Sequence, residues 1–247
     1  AERYSDRPAE GTGIGTYKEK RLHALLKDFY TPEHARQEVR LEEDMINSAY
    51  ADLTDAATRR ARDRYVADIL TNEGEIIEIQ TGGFFPLTQK LHFYLCATNL
   101  RVTVVHPIPA VKYLSWIDPA DGSILSRSKS PKRGRVKDVA KELYWVSDFI
   151  GDPRFSVRIL LLELEEYRLA DGWSRDKKRG SNRYERFPTA LLGDVTLGNV
   201  ADYAAYFLPP FLSVPDAEGN RPVFTAAAYA KATGIRGKAT YSTVRIL

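Results

Sequence analysis

The chain has 247 residues, 43% hydrophobic and 28% charged, which suits one large domain, or a medium domain with a small appendage, around a sizeable core. The net charge of +3 permits a polyanionic partner without arguing for one, so where the charges fall matters more than their sum. A single cysteine, Cys96, excludes an internal disulfide and a thiolate metal cluster and fits a reducing compartment.

Residues 1–15 are polar and Gly-rich and read as a flexible segment. They lack the apolar core of a signal peptide, and no run in the chain approaches the ~18 apolar residues of a membrane span. The expectation is a cytoplasmic protein with no membrane partner. No strand precedes Gly11, Gly13 and Gly15, and no Gly-Lys-Ser/Thr follows them, which argues against a phosphate loop. Residues 16–19 have capping-box spacing and open a helix through about Tyr30, with Leu22, Leu25, Leu26 and Phe29 as its apolar stripe. Residues 38–41 read as a first strand, and the charged residues 42–63 as an insertion.

Residues 64–81 carry the chemistry. Val66 and Ile69 lie in a β-branched run, residues 71–74 (Thr-Asn-Glu-Gly) supply a turn, and Ile76, Ile77 and Ile79 resume the strand. Asp68 interrupts the first run and Glu78 the second. A side-chain period of two puts Glu78 and Gln80 on one face, and hairpin pairing brings Asp68 beside them. Two carboxylates converging in an apolar hairpin outline a hard-cation site, with Mg²⁺ or Mn²⁺ as the ion. Such an ion is a Lewis acid toward a phosphoryl oxygen and lowers the pKa of a bound water. A solvated face of an edge hairpin explains the same alternation without any metal.

Residues 87–97 have helical spacing, 101–105 and 113–117 read as strands, 136–149 as a helix and 155–164 as a strand. This order predicts an α/β layered domain. Before the 136–149 helix, Lys129, Lys132, Arg133 and Arg135 form a basic stretch suited to phosphate contacts. A second stretch, 171–186, interleaves Trp173 and Tyr184 with Arg175, Lys177, Lys178, Arg179, Arg183 and Arg186, which suits base stacking beside backbone contacts. Each stretch taken singly is also a solubilising loop. Residues 220–247 read as a small helix-turn-helix, Ala-rich then Ser/Thr-rich about Gly234, with a third helix or wing expected beyond it.

The order of helix, strand, Asp-bearing strand, Glu-bearing strand, helix and strand over residues 16–105 resembles the PD-(D/E)XK nuclease superfamily. Asp68 falls on that family's first acid, and Glu78 and Gln80 on its (D/E)-x-K pair. The resemblance implies a restriction-endonuclease-like mixed sheet flanked by helices over residues 16–210. It also implies Mg²⁺ or Mn²⁺ held by Asp68 and Glu78, and hydrolysis of phosphodiester bonds in nucleic acid, with DNA the expected substrate. Gln80 stands where the lysine belongs and offers a neutral amide for a cation that would position water and stabilise developing charge. In some branches the lysine moves to the following helix, where Lys90 is the candidate. Glu19 matches the first-helix acid that many members use as a further ligand, although a capping box with Thr16 explains it without a metal. His23 and Lys27, one turn apart beside Glu19, suit phosphate contacts.

Three functions stay open at this point. One is the nuclease. Another is a catalytically inactive nuclease fold that binds nucleic acid or scaffolds a partner protein in a defence or repair assembly. The third is a helix-turn-helix transcription regulator with an α/β sensor domain. A homodimer is compatible with each.

Overall fold

The computed structural model describes residues 17–47, 60, 63–170, 172, 183–213, 219 and 223–246. Helix α1 (Tyr17–Tyr30) buries Leu22 and Leu26, one turn apart, against the sheet. The observed stripe is narrower than the predicted one. Leu25 and Phe29 are exposed and border an apolar cavity of about 320 Å³ shared with Leu160, Leu162 and residues 188–191, so this flank of the helix overhangs the sheet.

The strands in chain order are β1 (Arg36–Arg40), β2 (Val66–Leu70), β3 (Glu75–Ile79), β4 (Arg101–Ile117), β5 (Ile124–Lys129), β6 (Phe155–Leu169) and β7 (Arg183–Leu197). Among the described residues they form one mixed seven-stranded sheet, ordered β1-β2-β3-β4-β6-β7, with β5 paired to the outer part of β4. β3 and β4 are parallel, as are β4 and β6, and the remaining pairs are antiparallel. A parallel β3–β4 pair needs a crossover, which helix α2 (Thr88–Ala97) provides. Its Leu91, Tyr94 and Leu95 join Ile76, Val102 and Val104 in the larger core on one face. On the other face α1 covers Ile69, Ile77, Ile79, Val105 and residues from β6. The hairpin is therefore buried on both sides, which explains its near-continuous apolar run. The architecture is α/β, a mixed sheet flanked by helices.

Three details depart from the sequence reading. Residues 101–105 and 113–117 belong to one 17-residue strand, which runs through Pro107 and Pro109 with a bulge between Pro109 and Val111. The 136–149 helix is three short pieces, a 3₁₀ turn at Val136–Val139, α3 (Ala140–Leu143) and a second 3₁₀ segment at Tyr144–Phe149. β5 ends at Lys129, the first residue of the first basic stretch, and β7 starts inside the second stretch read as a loop.

Further on lie α4 (Val200–Phe207), α5 (Pro210–Ser213), α6 (Ala226–Thr233) and α7 (Lys238–Ile246). Gly234, at φ 73°, ends α6 in the left-handed conformation that glycine adopts without strain. Two helices and a glycine turn thus occupy the region read as a helix-turn-helix. Tyr229 is fully buried in the larger core and donates its hydroxyl hydrogen bond to the Phe207 carbonyl at 2.6 Å, and Ile235 joins the same core. Most of the 42–63 insertion lies outside the described residues. Among those described, no helix is long and apolar enough to cross a membrane.

Candidate active site

β2 and β3 pair beside their turn, at Leu70 with Ile76 and Ile69 with Ile77, and the ladder stops there. Asp68 and Glu78 stand at the next step, where the strands part. The Ile79 amide, released from the ladder, donates to Asp68 Oδ2 at 2.8 Å, and His23 Nε2 of α1 lies 3.1 Å from the same oxygen. Burial works to raise the Asp68 pKa. The His23 hydrogen bond and charge, the Ile79 N–H and the Lys90 charge outweigh it and hold the carboxyl below its ordinary value. Asp68 is therefore an anion at neutral pH.

Glu78 is only 2% exposed. Lys90 reaches across from α2 and places its Nζ 2.6 Å from Oε2, while Oε1 is buried with no hydrogen-bond partner. Burial pushes the Glu78 pKa up to about 7, with Lys90 opposing the rise and the Asp68 charge adding to it. One turn along α2 from Lys90, the Tyr94 hydroxyl is also buried without a partner. Its pKa is pushed far up, first by burial, then by the negative charges of Glu78 and Asp68 and by a hydrogen-bonding interaction with the Glu78 carboxylate. A buried acceptor left unpaired is expensive and calls for a reason.

Gln80 lines the same cavity as the two acids. Its side-chain Nε2 donates to the Gly83 carbonyl at 2.6 Å, and its backbone carbonyl accepts from His106 Nδ1 at 2.7 Å. Burial is the largest influence on His106 and lowers its pKa, which keeps the ring neutral. The amide thus braces the turn at 81–83. Lys90, predicted as the displaced lysine, is the cation found at the acids.

The two acids, His23, Gln80, the 81–83 turn and Lys90 line a cavity of about 680 Å³. A second groove of similar volume shares Thr81, Gly82 and Gly83 with it and is walled by Lys112, Lys132, Arg133, Arg135 and Lys141, with Asp138 and Glu142 as its acids. Gly134 sets the position of the basic loop. A Cβ there would lie 2.4 Å from Ile108 Cγ2 and 2.5 Å from the Pro109 carbonyl, so only glycine lets the backbone approach this closely. The Gly134 N–H donates to that carbonyl at 2.9 Å.

The remaining predicted residues fare differently. Lys129 sits on β5 with its Nζ 5.5 Å from the centre of the Tyr113 ring and does not line the groove. Trp173, Arg175, Lys177, Lys178 and Arg179 lie outside the described residues, and so do the side chains of Glu19 and Arg183. Lys27 is paired with Glu38. Sequence reasoning missed that His23 holds Asp68, although its place one turn beyond Glu19 was a signal. It also missed Lys112 and Lys141, which nothing in the local sequence marks.

Whether these residues fit a hard cation can be judged from the donors. Among the described residues no group of three or more His, Cys, Asp or Glu is placed to hold a metal ion. Asp68 and Glu78 nonetheless line one cavity, and Glu78 keeps a buried oxygen free. Two carboxylates suffice for Mg²⁺, which retains several waters and takes substrate oxygens for its other positions. The pair fits.

Residues 47–198, more than half of the chain, match the family model described as a domain of unknown function, DUF8091. The matched span contains Asp68, Glu78 and Lys90 and leaves out α1. An uncharacterized protein of Treponema pallidum (strain Nichols) is 27% identical over 173 residues. That match covers 70% of this chain and 57% of the relative, so the chain spans little more than half of the relative's length. No solved structure matches the chain.

Proposed function

The chain belongs to the DUF8091 family, and for this member we propose metal-dependent hydrolysis of phosphodiester bonds in nucleic acid, with DNA as the substrate. One observation carries the reading. At the point where β2 and β3 part, an ionised Asp68 stands beside a buried Glu78 that is paired with Lys90 and keeps an unpartnered oxygen. The element order supports it as well, since a helix, a strand, the Asp68 strand, the Glu78 strand, a helix and a further strand follow one another in a mixed sheet as the nuclease resemblance implies. The basic groove next to the acids supports a polyanionic substrate.

Asp68 and Glu78 would hold a Mg²⁺ or Mn²⁺ ion, which when bound supplies Lewis-acid charge and an acidified water. His23 and the Ile79 amide fix the Asp68 carboxylate. Lys90 keeps part of Glu78 ionised near neutral pH and brings a cation to where negative charge develops on the phosphoryl group. Gln80 and His106 hold the 81–83 turn that joins the acid cavity to the basic groove. Lys132, Arg133 and Arg135 line the path of the phosphate backbone.

The test is cleavage of labelled single- and double-stranded DNA and RNA with Mg²⁺ or Mn²⁺, comparing wild type with Asp68→Ala and Glu78→Ala. Metal-dependent cutting is expected, falling at least about 100-fold in each variant. Cutting that survives Asp68→Ala overturns the proposal. The engagement of Gln80 with Gly83 favours a second reading, a nuclease fold that binds nucleic acid without cutting it. Salt-sensitive binding by a wild type that never cleaves would select that reading.

A further inference from the structure

Phe85 and Trp145 form an aromatic pair on the surface, with ring centres 4.7 Å apart and planes at 67°, although Phe85 is 65% and Trp145 40% exposed. Single exposed apolar side chains are ordinary, but two large rings in edge-to-face contact at the surface form a patch. Two hydrogen bonds clamp the segments that carry the rings. The Phe84 amide donates to Glu142 Oε2 at 3.0 Å, and the Thr88 hydroxyl donates to the Trp145 carbonyl at 3.1 Å. The Phe84 ring is itself fully buried and meets His106 edge-on, so the backbone beneath Phe85 is anchored in the core.

The position of the pair gives it meaning. Phe85 lies between Gly83, shared by both cavities, and Pro86, which lines the acid cavity. Trp145 follows Lys141 and Glu142 of the basic groove by about one helical turn. Two exposed rings set edge to face thus sit on segments that flank both the cation-lined groove and the acid cavity. A stacked duplex keeps its base faces covered, and its phosphates would engage the cations alone. An unpaired strand presents both phosphates and free base faces, which matches cations beside aromatic rings.

We propose that Phe85 and Trp145 are a base-stacking site for single-stranded nucleic acid, which the groove of Lys132, Arg133 and Arg135 holds by its backbone. This rests on the nucleic-acid part of the function proposed above and names the form of the substrate. The site takes an unpaired base against the Phe85–Trp145 pair, and the same contact discriminates against intact duplex.

The experiment is fluorescence anisotropy with labelled oligo(dT) of about 20 nucleotides, long enough to span a site of ~4–16 nucleotides, and with a duplex of equal length. It is done in EDTA so that nothing is cut. Wild type is expected to prefer the single strand. Phe85→Ala and Trp145→Ala should each weaken oligo(dT) binding at least about fivefold while leaving duplex binding within about twofold. Phe85→Tyr should retain binding, and Phe85→Leu, apolar but without a π face, should lose it as Ala does. Thermal melting confirms that the variants are folded.

Equal binding of Phe85→Leu and wild type overturns the stacking role. So does an equal loss on single strand and duplex. Failure of wild type to bind either nucleic acid overturns the proposal and leaves the pair to a protein partner. Asp68→Asn separates the two proposals, because it should abolish cleavage while oligo(dT) binding remains.

Discussion

Glu78 and Glu166 are buried carboxylates on one sheet with opposite electrostatic outcomes. Glu166 on β6 has no exposed surface, and three cations close on it. Lys112 Nζ lies 3.3 Å and Arg186 Nε 3.1 Å from Oε2, and Arg168 Nη2 lies 2.6 Å from Oε1. Burial works to raise its pKa, but the Arg168 hydrogen bond and the charges of Arg186 and Lys112 pull it down to about 2. Glu78 has one cation, one carboxylate neighbour and one orphaned oxygen, and its pKa rises to about 7. A carboxylate whose partners are all supplied by the protein stabilises the fold. One left short of partners is held in place by the fold at some cost.

The contrast can be broken first at Glu166. Glu166→Gln leaves three cations clustered around a neutral amide and should destabilise the protein by about 3 kcal/mol. For a chain of this size that lowers the melting temperature by roughly 6–12 °C near neutral pH. A folded pKa below the unfolded one gives stability that is present above about 4.5 and lost as pH falls toward about 2, so wild type and variant should converge in acid. A melting temperature unchanged at pH 7 would mean that the three cations do not depend on Glu166.

Glu78→Gln should act in the opposite direction. The folded pKa of about 7 exceeds the ordinary 4.5, so ionisation favours the unfolded chain. The penalty is absent below about pH 4.5, grows between there and about 7, and is complete above it. The gain is on the order of a few kcal/mol, less whatever Lys90 loses with its partner. Melting curves from pH 4 to pH 8 should show the variant gaining on wild type as pH rises. A gap that stays constant with pH would show that Glu78 is not a strained acid.

A smaller effect is expected from Lys90→Met. Removing the cation that holds Glu78 down should move the pH dependence of Mn²⁺ affinity toward alkaline pH by about 1 unit. No displacement of the profile would separate Lys90 from the electrostatics of the acid. Gln80→Ala should matter least. Its side chain braces the 81–83 turn, so cleavage is expected to fall less than about tenfold. A loss as large as that for Asp68→Ala would return Gln80 to the chemistry.

The acids were legible because charge in an apolar hairpin is conspicuous, and the alternation of Asp68, Glu78 and Gln80 follows from the two-residue period of a strand. Lys90 was legible only through the nuclease resemblance, since its own sequence neighbourhood is that of an ordinary helix. Glu166 was hidden. It sits in the run Glu163-Leu-Glu165-Glu166, and its cations come from three different strands. The aromatic pair was equally hidden, because Phe85 and Trp145 are 60 residues apart and meet only through the clamps at Phe84 and Thr88.

By itself the sequence determined the local elements. Helix α1, the β2–β3 hairpin with its turn, α2 and the start of β6 all follow from periodicity, capping and turn residues that act within a few positions. Tertiary structure decided the length of β4 through its bulge, the pairing of β5 and β7, and the joining of α6 to the main core. It also decided which acids are satisfied and which are not. A pKa depends on burial and on charges within a few ångströms, and those distances exist only once remote strands have been brought together.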